Sequence, residues 1–254
     1  MIGATGIPQR VLIVGGSSEI GGALARAWLK RGTRDFVVTE RAAGAADTLV
    51  GDLVAGGARV DRVVLDALDR GVISPAIDSA WAHGDVDVVV IAIGLLGSQT
   101  EIDEDPTRVW DLLTVNATAS IQIALEAVKR MGDQEYGSIV LLSSVAGQRG
   151  RSDNYVYGAS KAALDTFAEG LQQRLGGSAI RVLVARPGYV FSKMSAGVDP
   201  APFAVSVEYS RDEILRALDR GKDVIWIPSV LGVIFFGFRM LPRRLWAAIV
   251  SKTR

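Results

Sequence analysis

Short runs of continuous apolar residues, separated by longer stretches with helical spacing, constrain the fold of this chain more than any other feature. Runs such as "VLIV", "VDVVVIAI" and "SIVLL" do not alternate between apolar and polar residues. They therefore predict strands that are buried on both faces, as in parallel sheets. Strands of this kind that alternate with helices predict an α/β fold with a doubly wound parallel sheet. The predicted strands are Arg10–Val14, Phe36–Thr39, Arg59–Leu65, Val86–Ile93, Ser138–Leu142, Ile180–Ala185 and Val224–Ile227, and the predicted helices are Ile20–Arg31, Val72–Trp81, Glu104–Met131, Tyr155–Leu175 and Val207–Arg220.

One domain is expected, because no repeat and no polar linker divides the 254 residues. Residues 1–229 are assigned to it, and residues 230–254 form an apolar and basic tail of the same domain. The 28 basic and 28 acidic residues balance, which argues against a nucleic-acid binder. The absence of cysteine excludes a disulfide framework and a cysteine-ligated zinc site, so no metal is expected. Neither a secretory signal nor a run long enough to cross a bilayer is seen, which predicts a cytoplasmic protein or one peripheral on the cell membrane.

A glycine-rich turn, "GGSSEIGG", follows the first predicted strand directly and leads into the first predicted helix. Its glycines permit a tight turn, close approach of a pyrophosphate and close packing of the helix on the strand. The amides at the start of that helix would point at the phosphates. This position predicts a dinucleotide site of the Rossmann type, although an ordinary strand–helix turn would use the same residues. The predicted cofactor contacts in the turn are Gly15, Gly16, Ser17, Ser18, Ile20 and Gly21.

Residues at the ends of the second and third predicted strands would face the adenosine half of that dinucleotide. Glu40 suits the hydroxyls of an unmodified ribose, whereas the neighbouring Arg41 suits a 2′-phosphate. Because the acid comes first and repels a phosphate, NADH is the expected cofactor and NADPH the alternative. Asp66 is a candidate contact for the adenine amino group, and a cap of the next helix would account for it equally well.

A tyrosine and a lysine four residues apart, in "YGASK", form the predicted catalytic pair. In a helix, Tyr157 and Lys161 lie on one face, a turn apart. An ammonium beside a phenol lowers the phenol's pKa from about 10, which makes the tyrosine a usable acid or base near neutral pH. Ser144 follows a predicted strand, at the edge where open α/β sheets bind ligands, and its hydroxyl could hold a carbonyl oxygen beside the tyrosine.

These residues and the glycine turn resemble the short-chain dehydrogenase/reductase family over nearly the whole chain. The resemblance implies a reductase in which Tyr157 is the general acid, Lys161 tunes it and binds the nicotinamide ribose, and Ser144 orients the carbonyl. By the same resemblance, Asn116 in "LLTVNATAS" keeps a water in a proton relay. The resemblance further implies cofactor contacts from Gly94, Pro187, Gly188, Val190 and Ser192, the last standing where the family usually has threonine.

Two motifs depart from the family's pattern. Val14 stands where the glycine turn usually begins with threonine, and Glu19 stands at its middle glycine. After the fourth predicted strand, "IAIG" keeps only Gly94 of the usual Asn-Asn-Ala-Gly. The departures concern the cofactor side of the site and leave the catalytic group intact.

Within the family, the chain resembles the reductases that act on decaprenylphosphoryl-2-keto-erythro-pentose in actinobacterial arabinan synthesis. The resemblance lies in "GGSSEIG", "GLLG", "RVLVARPG" and the tail. It implies a polyprenyl-phospho-keto-sugar substrate and a partner flavoprotein oxidase that makes the keto sugar. Arg149 and Arg151 are candidates for binding the substrate phosphate, with a solubilising loop as the plain alternative. A reductase of another hydrophobic ketone, such as a steroid or an acyl ketone, and a non-catalytic nucleotide-binding scaffold at a membrane are the alternatives.

The tail begins with "VLGVIFFGFRMLPRRLWAAIV" (230–250), which combines apolar side chains with arginines and contains no acid. Lys252 and Arg254 continue its basic character. Such a segment suits the interface of an anionic membrane, and Pro242 would divide it into two short pieces lying in the membrane plane. A contact in a homo-oligomer, or a cover for the sheet edge, would use the same residues.

Overall fold

The computed structural model describes residues 6–250, except for the side chains at 247, 249 and 250. Helices and strands alternate along nearly all of this range, as the sequence predicts. The strands are β1 (Arg10–Val14), β2 (Asp35–Glu40), β3 (Arg59–Val64), β4 (Val88–Ile91), β5 (Gly137–Leu142), β6 (Ile180–Pro187), β7 (Val190–Phe191), β8 (Val205–Ser206) and β9 (Val224–Ile227). The helices are α1 (Glu19–Arg31), α2 (Asp47–Ala55), α3 (Arg70–Trp81), α4 (Gln99–Glu104), α5 (Arg108–Leu113), α6 (Ser120–Gln134), α7 (Tyr155–Arg174), α8 (Val207–Asp219), α9 (Val230–Met240) and α10 (Arg243–Val250).

Seven of the strands form one parallel sheet, in the order β3-β2-β1-β4-β5-β6-β9. Leu12 on β1, for example, lies beside Val37 on β2 and Val89 on β4. The prediction of a doubly wound parallel sheet is confirmed. The order of the strands reverses between β1 and β4, and a crevice at such a point is where open α/β sheets bind ligands.

The continuous apolar runs are explained by two hydrophobic clusters, one on each face of the sheet. Leu12 and Val89 point into the cluster that contains residues of α3, α6 and α7. Ile13 and Val90 point into the opposite cluster, with residues of α1 and α8. Because both faces are covered, neither set of alternating side chains can be polar.

The long helix predicted for residues 104–131 is wrong, because the structure divides this stretch into several elements. Helix α4 ends at Glu104, and Pro106 follows, which disfavours helical backbone in the residue before it. Helix α5 then passes through a π-helical turn, Thr114–Ala119, into α6. Turns of this kind occur often at functional sites, and this one contains Asn116.

Helices α2 and α4 and strands β7 and β8 were not predicted, α4 meeting the predicted helix only at Glu104. Helix α2 buries only Leu49 and Leu53, so its apolar periodicity is too weak to stand out in the sequence. Strands β7 and β8 form a separate pair of two residues each, which is too short to leave a pattern.

The tail forms two helices, α9 and α10, separated by Leu241 and Pro242 as predicted. Helix α9 buries Leu231 and Phe235 against Val145, which follows β5. Within residues 6–250, no helix is long and apolar enough to cross a membrane. Lys252 and Arg254 lie outside the described residues.

Candidate active site

The glycine turn between β1 and α1 leaves no room for side chains. Gly15 has a φ of +97°, and a Cβ atom there would lie 3.0 Å from Ile93 Cγ2. A Cβ at Gly16 would clash with the side chain of Val38. A Cβ at Gly21 would lie 3.1 Å from the Cβ of Ala92. Only glycine therefore fits at these positions, and the close packing of α1 on the sheet that they allow is one of the roles of glycine in a dinucleotide-binding turn.

The start of α1 presents backbone amides to the same space. Ser18 caps the helix, and its Oγ accepts a hydrogen bond from Gly21 N at 3.2 Å. Ser17 is exposed beside it, and Ile20 is partly buried. The glycine turn and this helix N-terminus fit the pyrophosphate of a dinucleotide.

Glu19, which departs from the family's pattern, ties the turn to a distant segment. Its carboxylate accepts a hydrogen bond from the backbone N of Lys193, which lies in the short 3₁₀ turn after β7. The departure therefore links the start of α1 to the segment that follows β6.

Glu40, the predicted ribose contact, is bound instead by another residue of the protein. Arg62 on β3 donates to its carboxylate from Nε at 2.9 Å and from Nη2 at 2.8 Å, and Ala46 N donates at 3.1 Å. The side chain is 4% exposed. The hydrogen bonds from Arg62 lower the pKa of Glu40 below its usual value, although burial opposes them. The predicted contact with a ribose diol is thus corrected, because a guanidinium on the neighbouring strand occupies the carboxylate.

Arg41 and Asp66 lie at the ends of β2 and β3 as predicted. Arg41 is exposed, and within residues 6–250 its guanidinium has neither a hydrogen bond nor an ion pair. Asp66 Oδ1 accepts a hydrogen bond from Leu68 N at 3.0 Å. Helix α3 is capped by Asp69, so the capping role considered for Asp66 is wrong.

The predicted catalytic group comes together at the carboxyl end of β5. Lys161 Nζ lies 5.8 Å from the centroid of the Tyr157 ring and donates to Leu142 O at 2.8 Å. Ser144 Oγ lies 3.4 Å from Pro187 O and forms a hydrogen bond with Tyr157. The structure therefore brings the tyrosine, lysine and serine to one place, next to the segment after β6.

Burial controls the protonation of the catalytic pair. It raises the pKa of Tyr157, while the hydrogen bond from Ser144 and the charge of Arg151 oppose the rise. Burial lowers the pKa of Lys161 to about 8, and the charge of Asp165 opposes the fall. The expected fall in the pKa of Tyr157 is corrected, because desolvation of the phenol outweighs the hydrogen bond from Ser144 and the charge of Arg151.

Asn116 fixes the segment after β4 next to the catalytic helix. Its side chain is fully buried; Oδ1 accepts from Leu95 N at 2.7 Å, and Nδ2 donates to Leu95 O at 2.8 Å and to Ser160 Oγ at 3.0 Å. A Cβ at Gly94 would lie 3.4 Å from Asn116 Oδ1 and 3.8 Å from Lys161 Nζ. Gly94 is thus part of the catalytic surroundings.

The segment after β6 closes the other side of the site. Gly188 N donates to Ile227 O at 2.9 Å, and a Cβ at Gly188 would lie 2.6 Å from Leu231 Cδ1 on α9. Ser192 begins a 3₁₀ turn, where its backbone N donates to Ser195 Oγ at 3.1 Å. The same Oγ donates to Val190 O at 2.6 Å.

Arg149 binds the tail. Its Nη2 donates to Leu241 O at 2.8 Å, its Nη1 donates to Phe238 O, and its guanidinium lies 5.2 Å from the Trp246 ring centroid. Carbonyls at a helix C-terminus lack intrahelical partners and attract cations. The guanidinium predicted to bind a substrate phosphate is therefore used to hold the end of α9. Arg151, by contrast, lies close enough to Tyr157 to influence its pKa.

Comparison with known proteins decides the family. A model of the short chain dehydrogenase family matches residues 9–202. The chain belongs to that family. An uncharacterized oxidoreductase of Mycobacterium tuberculosis is 38% identical over 237 residues, covering 93% of this chain and 95% of the relative. A 3-oxoacyl-[acyl-carrier-protein] reductase of Mycobacterium avium is 26% identical over 204 residues, covering 80% of this chain and 75% of that protein.

Among solved structures, a short-chain dehydrogenase of Burkholderia cenocepacia in complex with NADP has a TM-score of 0.81. It is 22% identical and covers 94% of this chain and 96% of its own. The short-chain dehydrogenase fold is thus shared over nearly the whole length. Membership in the family makes the chain an oxidoreductase that uses a nicotinamide dinucleotide.

Three site residues were missed by sequence reasoning. Arg62 could not be recognised, because its partnership with Glu40 depends on the pairing of β2 with β3. Arg186 on β6 pairs with Asp165 on α7 across the site, and nothing in the sequence links them. Asp165 alone carried a signal, because it follows Lys161 by one helical turn.

Proposed function

We propose that the chain is a nicotinamide-dependent reductase of a ketone carried on a long apolar chain, with a lipid-linked keto sugar as the favoured substrate. Apolar side chains exposed beside the catalytic group carry this proposal. Phe191, Met194, Val198 and Phe203, all after β6, are 54%, 48%, 50% and 52% exposed. A Cβ at Gly94 would lie 3.7 Å from Met194 Cε, so this segment borders the catalytic residues. Such a border suits a substrate with an apolar chain.

Reduction of a ketone adds a hydride to the carbonyl carbon and a proton to its oxygen. A bound nicotinamide supplies the hydride. Tyr157 donates its phenolic proton to the oxygen, and Ser144 donates a hydrogen bond to the same atom. The raised pKa of Tyr157 keeps the phenol protonated near neutral pH, as a proton donor requires. The ammonium of Lys161 stabilises the phenolate that remains, and the product is an alcohol.

The cofactor that these residues favour is NADPH. Glu40 repels a 2′-phosphate less than a free carboxylate would, because it is buried and bound by Arg62, which also pairs with Asp47 at 2.6 Å. Arg41, exposed and without an ionic partner in the described chain, is available to pair with that phosphate. This proposal replaces the expectation of NADH.

Cofactor titrations test the choice. Tighter binding of NADPH than of NADH is expected, and Arg41→Gln should weaken NADPH by about tenfold or more while leaving NADH unchanged. Arg220→Gln, an exposed arginine after α8, is the control for loss of surface charge. Equal affinities in the wild-type protein would contradict the proposal.

The substrate phosphate is assigned to Arg151. Its charge already acts on Tyr157, whereas Arg149 is bound to the tail. Arg151→Gln should raise the KM for a phosphorylated lipid ketone and leave the KM for a small neutral ketone unchanged. Equal changes in both would mean that Arg151 acts through Tyr157 rather than on a phosphate.

A substrate comparison tests the function itself. A polyprenyl-phospho-keto-sugar, an acyl ketone and a short neutral ketone are offered with NADPH, and NADPH oxidation is followed. The lipid-linked keto sugar should give the highest kcat/KM. A higher value for the acyl ketone would favour the alternative, which the similarity to a 3-oxoacyl reductase supports. We also propose that a partner flavoprotein oxidase makes the keto sugar that this reductase uses.

Contact with a membrane surface is proposed for the outer face of α9. Val233, Phe236 and Met240 on this face are 76%, 69% and 73% exposed, and Arg243 and Arg244 follow them. Apolar groups beside cations suit an anionic lipid interface. Deleting the tail would be a poor test, because α9 also packs beside the catalytic segment. Replacing the three apolar residues by serine leaves that packing in place.

Sedimentation with liposomes measures the effect of the triple serine variant. Binding to liposomes that contain anionic lipid should fall, while activity on a short ketone should stay unchanged. Unchanged liposome binding, together with a change from dimer to monomer, would instead assign this face to a second copy of the chain.

A further inference from the structure

The helix that carries Tyr157 and Lys161 carries a third ionisable residue on the same face. Asp165 follows Lys161 by four residues, just as Lys161 follows Tyr157, so the three lie in one line along α7. Asp165 is 8% exposed and Lys161 is 4% exposed. A buried carboxylate is costly unless it is paired and hydrogen-bonded.

Groups from other elements hold Asp165. Arg186 on β6 donates from Nε to Oδ1 at 3.3 Å and forms an ion pair with Oδ2 at 3.2 Å, and the Gln148 amide donates to Oδ2. Ser143 supplies a further hydrogen bond. The guanidinium of Arg186 also lies 5.0 Å from the centroid of the Trp226 ring, which packs beneath α9. The carboxylate therefore has a fixed position and is shielded from solvent.

Lys161 has Asp165 as its counter-charge. Tyr157 lies one turn before it on the same helix, Arg186 from β6 faces Asp165, and Arg151 from the loop after β5 acts on Tyr157. Among the described residues, Asp165 is the acid that opposes the effect of burial on the lysine. The segment after β4 contributes only the neutral residue Gly94. A Cβ atom at Gly94 would lie 3.8 Å from Lys161 Nζ.

We infer that Asp165, held by Arg186, is a positioning residue whose charge keeps Lys161 protonated for its contacts with the nicotinamide ribose and the catalytic phenol. This inference rests on the proposed function, in which Lys161 makes those two contacts. Arg186 has a separate part, because it holds the carboxylate in place and its charge opposes the rise in the pKa of Asp165 that burial causes.

The direction of the pH effect follows from the charges. Burial lowers the pKa of Lys161 to about 8 even with Asp165 present. Without the carboxylate, the lysine loses its proton at lower pH, and the functions of the ammonium are lost there. The alkaline limb of activity and of cofactor affinity should therefore move to lower pH, by about one unit for the loss of one nearby charge.

The experiment compares Asp165→Asn with Glu169→Gln in the full-length protein. Glu169 is an exposed acid one turn further along α7 and serves as the matched control. Ketone reduction and NADPH binding, the latter by fluorescence titration, are measured from pH 6 to pH 10. In Asp165→Asn, the alkaline limbs of ketone reduction and of NADPH binding should both shift to lower pH. In Glu169→Gln, both should remain at the pH of the wild-type protein. A uniform loss across the pH range, or no change, would overturn the inference.

A second variant covers the case in which Asp165→Asn does not fold because it leaves Arg186 buried without a partner. Asp165→Asn combined with Arg186→Met removes both charges and should show an alkaline shift in the same direction, but a smaller one, because a positive charge is lost as well. If the wild-type protein binds NADPH but reduces no tested ketone, the proposed function fails, while the pH dependence of binding still decides the part of Asp165. Binding of neither nicotinamide dinucleotide would contradict both.

Discussion

At the scale of single residues, the chemistry of the site depends on the hydrogen bonds and the burial of the catalytic side chains. Tyr157 is buried and hydrogen-bonded to Ser144, and Lys161 is anchored to the carbonyl of Leu142. Each of these groups therefore has its chemistry set by neighbours that are distant in the sequence.

Tyr157→Phe removes the proposed proton donor and little else. Ketone reduction should fall by about 10²–10⁴-fold or more, because proton transfer to the carbonyl oxygen is lost. NADPH affinity should stay within about twofold, since the ring remains in place. Stopped-flow rates and fluorescence titration measure the two effects, and substantial activity in the variant would remove the tyrosine from the mechanism.

Gly16→Ala tests the shape of the glycine turn. A Cβ there would overlap the side chains of Val38 and Ala46, so NADPH affinity and the melting temperature should both fall. Gly51→Ala is the control, because Gly51 lies in α2 and a Cβ there would meet no atom within 4 Å. The control should be neutral or slightly stabilising, by up to about 1 kcal/mol. Unchanged cofactor binding in Gly16→Ala would place the pyrophosphate elsewhere.

At the scale of elements, α9 has two faces with different tasks. Its inner face packs on the segment that carries Ser144, and Trp226 stacks on Phe235 with centroids 5.9 Å apart. Arg149 holds its C-terminal carbonyls. The tail is therefore part of the wall of the catalytic site, whatever its outer face binds.

Adjacent phenylalanines separate these two tasks. Phe235 is 7% exposed and Phe236 is 69% exposed. Phe235→Ala should lower the free energy of unfolding by about 3 kcal/mol and reduce activity on every ketone. Phe236→Ala should change stability by no more than about 0.5 kcal/mol and weaken only liposome binding and activity on long-chain substrates. Chemical denaturation and paired assays measure both; similar stabilities of the two variants would mean that α9 does not pack as described.

At the scale of the whole molecule, one buried arginine joins three strands at the end of the sheet opposite to the catalytic site. Arg10 on β1 donates to Asp35 on β2 and to Asp61 on β3, each at 2.6 Å. Arg59 and His83 also contact Asp61. This network holds β2 and β3, and with them the adenosine side of the cofactor site.

Asp61 links the stability of this network to pH. Burial tends to raise its pKa, but hydrogen bonds from Arg10, Arg59 and His83 outweigh burial and lower it from 3.8 to about 2. A lowered carboxyl pKa stabilises the fold above the unfolded-state value, and this contribution is lost as pH falls from about 4 to about 2.

Asp61→Asn should therefore lower the free energy of unfolding near pH 7 by about 2 kcal/mol or more. The difference from wild type should shrink as pH falls through that window. Asp52→Asn, which breaks an exposed ion pair with Arg26, is the control and should cost less than about 1 kcal/mol. Urea denaturation at several pH values measures both, and a penalty for Asp61→Asn that does not depend on pH would contradict the network's role.

The sequence by itself determined the parallel sheet, because continuous apolar runs have no other stable place than between two layers of helices. It also determined the glycine turn and the face of α7 with Tyr157 and Lys161, since each depends on neighbours within a few residues. The tertiary structure alone decided that Arg62 binds the carboxylate of Glu40, that Arg149 binds carbonyls of the tail and that Arg186 forms an ion pair with Asp165. Each of these pairs joins residues far apart in the chain, and whether a charged group faces a ligand or another side chain depends on strand pairing and burial, which local patterns do not contain.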